Sequence, residues 1–201
     1  DDEAPWPVAA DGAGHSLTLS APSYGEGDPR AWRQSYLVGG TPGQGERATL
    51  TSLDGVVINE VLAHTDPPDY DYIELYNTST QALNLQGCWL SDDPDTNKYR
   101  FPSTNLAGRG FMLLTTNQLG FNLSSAGETV YLRNSNATRV VDCVRFGGTE
   151  NGVSLGRYPD GAAEIRELRP ASTPGAANRA PLVRDVVINE IMYHPISEND
   201  G

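Results

Sequence analysis

The sequence predicts an all-β fold, a sandwich of short antiparallel strands. Hydrophobic residues make up 38% of the chain, and 21 Gly and 14 Pro are spread among them. Apolar side chains alternate with polar ones over short runs, and no long stretch repeats with the 3.6-residue period of a helix. Seven or eight short strand candidates separated by turn residues are typical of a β-sandwich.

Each strand candidate follows from its local pattern. The apolar run from Val56 to Leu62 predicts the first strand, which ends in turn-forming residues. Residues 71–76 alternate polar and apolar, which predicts a half-buried strand. The run from Leu83 to Leu90 contains the third. If these three strands are successive antiparallel neighbours, they run up, down and up. Further candidates are Tyr99 to Phe101, Phe111 to Thr115, Thr129 to Leu132, Arg139 to Phe146 and Val153 to Gly156.

A repeated motif indicates a tandem array. The run Val56 to His64 returns as Val186 to His194 with six of nine positions identical. A second echo has almost the same offset, with Thr41-Pro42-Gly43 repeated as Thr173-Pro174-Gly175. A period of about 130 residues fits once into the chain, so we expect one complete unit between two partial copies.

The repeat divides the chain into five parts. We predict that residues 1–46 are the end of a preceding repeat and that 47–54 are a linker. Residues 55–178 form the complete domain, 179–185 a second linker, and 186–201 the first strand of a following repeat.

The charge balance narrows the class of partner. The formal net charge is −12, and only Lys98 among the 14 basic residues is a lysine. This acidic field repels phosphate backbones, so the sequence predicts no nucleic-acid partner. No apolar run is long enough to span a membrane, so we expect no membrane insertion in this segment.

Several ordered motifs resemble the lamin-tail domain family. They are Val57-Ile58-Asn59-Glu60, Tyr72 to Asn77, Leu83 to Asp93, Phe101-Pro102, Leu106-Ala107-Gly108, Gly127 to Val130 and Val140-Val141-Asp142. The resemblance covers roughly residues 55 to 178 and implies an immunoglobulin-like β-sandwich. It also implies a bacterial, secreted or cell-surface protein in which such domains occur in tandem.

The resemblance implies a non-catalytic function. We expect an extracellular interaction or spacer module that binds a protein or a glycan and contacts neighbouring repeats of the same chain. The alternative is an accessory domain of a secreted enzyme, such as a nuclease, phosphoesterase or spore-coat-type kinase, whose catalytic domain lies outside this chain.

Three possible catalytic features are better explained structurally. Gly152 to Gly156 matches GxSxG, but no helix pattern follows Ser154, so a strand and a turn are expected instead of a nucleophile elbow. His64 stands at a strand end, where a surface or capping role is usual. Glu60 and Glu74 lie inside strand patterns with no sign of a cleft. No catalytic residue is predicted.

Acidic loops offer one possible cofactor site. The loop after the first strand and the loop after the third would meet at one pole of the sandwich if the strands run up, down and up. Oxygen-bearing side chains in these loops are typical of weak calcium sites. The predicted ligands are Asp66, Asp69, Asp93, Asp95 and Asn97, and a solvated acidic rim is the alternative. No other cofactor is expected.

The two cysteines, Cys88 and Cys143, both lie in strand candidates of the complete domain. In an exported sandwich such a pair can form a disulfide between distant strands, whereas in a reducing compartment it stays as two free thiols. Both states are compatible with the sequence. A structural zinc site is disfavoured because it requires four ligands.

Overall fold

A computed structural model describes residues 5–43, 45–46, 51–169 and 171–180. The described strands are β1 (Leu17–Leu19), β2 (Trp32–Gln34), β3 (Val56–Leu62), β4 (Tyr72–Asn77), β5 (Leu83–Asn84), β6 (Trp89–Ser91), β7 (Tyr99–Arg100), β8 (Asn105–Leu106), β9 (Phe111–Thr115), β10 (Gly127–Arg133), β11 (Val140–Gly147), β12 (Ser154–Arg157) and β13 (Ile165–Leu168). A single turn of helix, α1 (Thr116–Leu119), and short 3-10 helices at Val8–Ala10, Pro22–Tyr24, Pro29–Ala31 and Ser52–Gly55 complete these elements.

Two antiparallel sheets form the sandwich. One has the strand order β13-β12-β3-β4-β9, and the other has the order β11-β10-β6-β7. Their facing sides form one continuous apolar core. It contains Ile58 of β3 and Ile73 of β4, together with Leu90, Val130 and Val144 of the opposite sheet. The all-β, immunoglobulin-like sandwich expected from the sequence is therefore confirmed.

The third predicted strand does not continue the sheet begun by β3 and β4. β4 pairs with β9, whereas β6 pairs with β7 and β10 in the opposite sheet. The first three predicted strands are therefore not three successive antiparallel neighbours. The chain crosses between the layers after β4, where Leu83 and Leu85 enter the core. Crossing buries the apolar residues of both strand groups against each other, which a single sheet could not do.

β4 is buried on both faces, although its alternating pattern predicted a half-buried strand. All six of its residues are buried. Ile73 and Leu75 point into the core, and the polar side chains between them lie on the outer face. Residues 171–178 cover that face, as the hydrogen bond from Gly175 to Glu74 shows. Period two thus identified the strand correctly but gave no information on the segment that covers it.

A β-bulge in β3 determines which side chains face outward. The pairing register of β3 with β4 shifts between Ile58 and Glu60, so Asn59 interrupts the regular alternation. Ile58 and Val61 both enter the core, although they are three positions apart. A bulge rotates the strand locally and redirects side chains in this way. It places Glu60 on the outer face directly opposite Glu74.

Residues 5–46 pack against the outer face of β10 and β11. Ala9 and Ala13 form a second apolar cluster with Tyr131 and Val140, separate from the main core. The imidazole of His15 lies between this first segment and β11. Its Nε2 accepts a hydrogen bond from the Val140 N–H at 3.0 Å. The segment predicted to belong to a preceding repeat thus docks on the complete domain.

The described residues test only part of the predicted domain division. The predicted first strand of a following repeat, 186–201, lies outside them, as do most of the linker 179–185 and part of the linker 47–54. Among the residues that the structure describes, no helix has the length and apolar character needed to cross a membrane.

Candidate functional site

Two of the predicted calcium ligands, Asp66 and Asp93, are engaged in separate local contacts. Asp66 accepts a hydrogen bond from the Asn151 side chain at 2.5 Å. Asp93 accepts one from the Asp95 N–H at 2.8 Å, and this bond lowers the pKa of the Asp93 carboxyl. Within the described ranges, no group of three His, Cys, Asp or Glu side chains is placed to hold one metal ion. The structure does not bring Asp66, Asp69, Asp93, Asp95 and Asn97 together as a calcium site.

The two cysteines are free and lie in different apolar clusters. Cys88 is buried in the main core between the sheets. Cys143 packs against the second cluster, on the outer face of β11. Burial raises the pKa of Cys88 and, together with the charge of Asp142, raises the pKa of Cys143 to about 12. The disulfide considered from the sequence is absent from this structure, and both thiols are protonated at neutral pH.

Ser154 has none of the surroundings of a nucleophile. It begins β12, and a turn follows the strand, as the sequence predicted. Its side chain is fully buried, and its hydroxyl has no hydrogen-bond partner among the described residues. His64 uses its Nδ1 to contact the Thr149 carbonyl at 2.9 Å. Without an adjacent base, the hydroxyl remains an unactivated alcohol.

Glu60 and Glu74, which the sequence places inside strands, form a buried pair of carboxyl groups whose burial the strand pattern did not indicate. Glu60 and Glu74 are directly opposite in the β3–β4 register, and both side chains are completely inaccessible to solvent. The Tyr72 hydroxyl donates to Glu60 Oε1 at 2.7 Å, and the Thr173 N–H donates to the same oxygen at 3.1 Å. The Gly175 N–H donates to Glu74 Oε2 at 2.5 Å.

This environment keeps a proton on Glu74 near neutral pH. Burial is the main cause that raises the pKa of Glu74 to about 7, with a further contribution from the charge of Glu60, while the Gly175 N–H acts in the opposite direction. Ionising a carboxyl group that is removed from water and lies near another acidic side chain costs more free energy than ionising an exposed one. A substantial fraction of the Glu74 side chains is therefore protonated at neutral pH.

Residues Thr173–Asn178, which we call the clasp, close the domain over this pair. Asn178 Nδ2 donates to the carbonyl oxygens of Arg157 and Asn59 at 2.9 and 3.3 Å. The Asn178 N–H and the Asn59 side chain both donate to Asp160 Oδ1, at 3.0 and 2.9 Å. The clasp thereby joins the last described segment to β3 and β12, and it shields Glu60 from water.

The two repeated motifs of the sequence meet at this site. Asn59 and Glu60 belong to the first motif, and Thr173 and Gly175 belong to the second. The two motifs recur along the sequence at nearly the same separation, Val56 to Val186 and Thr41 to Thr173. Segments that contact each other in every repeat are expected to recur together, so this shared separation was the sequence signal for the contact. The clasp therefore closes the fold over the buried carboxyl pair.

A second buried network links the two sheets. Arg157 Nε donates to the Ile58 carbonyl at 2.8 Å, and Arg157 Nη2 donates to Asp142 Oδ2 at 3.0 Å. The same carboxylate oxygen accepts the Ile58 N–H at 2.7 Å. Because each charged group has several hydrogen-bond partners, this ion pair fixes the relative position of β3, β11 and β12.

The accessible feature nearest to the clasp is the loop between β3 and β4. Tyr70 projects from it with 54% of its surface exposed. Clefts of about 390 and 310 Å³ flank the loop. The residues that line both clefts are Thr65, Pro68, Asp69 and Tyr70, and the larger one also extends to Leu62, Tyr72, Leu113, Ser172 and Pro174. This surface combines an aromatic ring, apolar walls and a carboxylate.

The two packed antiparallel sheets define an immunoglobulin-like domain. The family model of the Lamin Tail Domain matches residues 50–148, about half of the chain, and this segment is a lamin tail domain. That family comprises non-enzymatic immunoglobulin-like domains. The match ends before β12, β13 and the clasp. No curated protein matches the chain significantly.

Proposed function

We propose that this lamin tail domain is an interaction and spacer module of a tandem array in a secreted or cell-surface bacterial protein. In this proposal the rigid sandwich presents the β3–β4 loop to a protein or a glycan, and neighbouring repeats extend the reach of the chain. The main supporting observation is the exposed ring of Tyr70 between two clefts. Exposed aromatic residues beside polar groups are typical binding anchors.

The loop is well placed to act as such an anchor. It leaves the five-stranded sheet between β3 and β4, in which every residue except the partly exposed Val57 is buried, so its ends are fixed by the core. The Thr65 hydroxyl donates to Asp71 at 2.8 Å, and the Asp69 N–H donates to the Asp66 carbonyl at 3.1 Å. These bonds order the loop before a partner arrives, which lowers the entropy lost on binding.

The proposal is tested by substitution of Tyr70. The full chain, Tyr70→Ala and Tyr158→Ala would be applied to an array of immobilised glycans and extracellular proteins. Tyr158 is a matched control, because it is 41% exposed and lines neither cleft. We expect Tyr70→Ala to weaken binding to the partner about tenfold or more, and Tyr158→Ala to bind like the unmodified chain. Equal affinities of all three proteins would contradict the proposed site.

A further inference from the structure

The interface between the first segment and the sandwich contains little apolar surface. The first segment gives two alanines, Ala9 and Ala13, to the second apolar cluster. Polar contacts accompany them, including the hydrogen bond from the Val38 N–H to the Thr138 carbonyl at 2.9 Å. Because alanines bury little area, the loss of one buried hydrogen-bonded group is large relative to the whole interface.

His15 is a buried titratable side chain in this interface, with 5% of its surface exposed. Its Nδ1 lies 2.7 Å from the Ser35 carbonyl oxygen, and its Nε2 lies 3.0 Å from the Val140 amide nitrogen. A carbonyl can only accept and an amide N–H can only donate, so Nδ1 carries the proton and Nε2 carries the lone pair. Two backbone groups thus require a neutral imidazole in one tautomer.

A second proton on the imidazole is incompatible with this arrangement. It would bind at Nε2, where its N–H would point at the Val140 N–H across 3.0 Å. The Val140 N–H would then have lost its acceptor, and the imidazolium would be a buried charge. The docked position of His15 can therefore hold the neutral side chain only.

The charged groups around His15 act mostly in the same direction. Burial is the main cause that lowers the pKa of His15, while the hydrogen bond to the Ser35 carbonyl raises this pKa. Arg133 of β10 and Arg139, which immediately precedes β11, lower the pKa further, and Glu46 of the first segment raises it. Protonation is thus opposed by the sandwich side of the interface and favoured by one acid of the first segment.

We propose that His15 is a pH-dependent switch whose protonation releases residues 5–46 from the outer face of β10 and β11. In the released segment the imidazole is hydrated and takes up a proton near its ordinary pKa of 6.5. The contribution of His15 to docking is therefore fully present above about pH 6.5 and is lost as the pH falls through the lowered pKa of the docked state.

Release uncovers Tyr131 and Val140 without opening the main core, because that core includes no residue of the first segment. Protonation of Glu74 acts in the opposite direction, since its raised pKa makes the sandwich more stable as the pH falls. A loss of docking in acid can therefore not come from Glu74. The switch does not involve the β3–β4 loop, so this proposal and the proposed function can fail independently.

Amide hydrogen exchange of the full chain between pH 8 and pH 5 tests the switch. Rates are divided by the intrinsic rate at each pH to give protection factors. The Val140 and Val38 amides report on docking, because their acceptors lie across the interface, and the Ile73 amide reports on the main core. We expect protection of Val140 and Val38 to fall about tenfold from pH 8 to pH 5, without a fall at Ile73.

His15→Gln has a side chain that does not ionise, so the protection factor of Val38 should be the same at pH 8 and pH 5. His64→Gln is the matched control, because His64 contacts the Thr149 carbonyl outside this interface. It should keep the tenfold fall. Constant protection of Val140 and Val38 in the unmodified chain would overturn the proposal, and so would a tenfold fall that persists in His15→Gln.

An NMR titration of the His15 ring protons in the unmodified chain decides the matter if His15→Gln leaves Val38 unprotected at every pH. We expect His15 to titrate at a lower pH in the full chain than in a synthetic peptide of residues 10–20, because docking favours the neutral ring. Titration at the same pH in both would overturn the proposal.

Discussion

At the scale of single residues, Glu74 links the stability of the domain to pH. Burial raises the pKa of Glu74 from an ordinary value of 4.5 to about 7. Between these two values the folded state binds more protons than the unfolded state. The free energy of unfolding therefore contains a contribution that is fully present below about pH 4.5 and is lost as pH rises through about 7.

We predict that Glu74→Gln removes this contribution to the pH dependence. Glutamine keeps the shape and the acceptor for Gly175 but cannot ionise, so the variant should be more stable than the unmodified chain at pH 8 by about 2 to 3 kcal/mol. Urea unfolding at pH 5, 6, 7 and 8 measures the difference. Glu164→Gln is the control, because that side chain is 73% exposed. Parallel pH profiles for the unmodified chain and Glu74→Gln would exclude this role of Glu74.

The cysteines make a second prediction at this scale. Cys88 and Cys143 occupy separate apolar clusters, and both have raised pKa values. We expect both thiols to react slowly in the native protein, because little thiolate is present at neutral pH. Unfolding in denaturant without reductant should release two titratable thiols. A titration that finds none in the unfolded protein would show that a disulfide has formed.

At the scale of structural elements, the clasp fixes the β12 side of the sandwich. Asn178→Ala removes the side-chain bonds to the Arg157 and Asn59 carbonyls, leaving buried acceptors without a donor. We expect the free energy of unfolding to fall by about 2 to 3 kcal/mol. Asn122→Ala serves as the control because Asn122 is exposed. Chemical denaturation measures both, and equal stability of the two variants would mean that the clasp contributes nothing.

Individual strands could be predicted because their patterns are local. The predicted Phe111 to Thr115 is β9 itself, and the predictions for β10, β11 and β12 differ from the structure by one or two residues at their ends. Turn residues and alternation are encoded within a few positions of each strand. The turn that follows Ser154 and β12 was predicted on the same local grounds.

Contacts between distant segments could not be predicted in this way. The transfer of β6 to the opposite sheet depends on its pairing with β10, about 40 residues later. Glu60 is buried because Thr173, 113 positions away, covers it. The alternation of polar and apolar residues along a strand shows that one face of the strand is apolar, but it contains no information about which segment covers the other face.

At the scale of the whole molecule, the lamin tail domain contains its own core. The main cluster draws on residues between Leu53 and Ile165 and includes no residue of the first segment. Residues 5–46 contribute the smaller cluster around Ala9 and the bond from Gln34 Nε2 to the Val140 carbonyl at 3.0 Å. The first segment thus covers an outer face of a sandwich whose interior is complete without it.

Unfolding of the polypeptide 47–180 tests this central claim most directly. The account predicts a single cooperative transition by calorimetry and by tryptophan fluorescence, with stability lower than that of the full chain by about 1 to 3 kcal/mol because Tyr131 and Val140 become exposed. Residues 1–46 alone should show no cooperative transition. A polypeptide 47–180 without a folded state would contradict the account, because the first segment would then belong to the core of the domain.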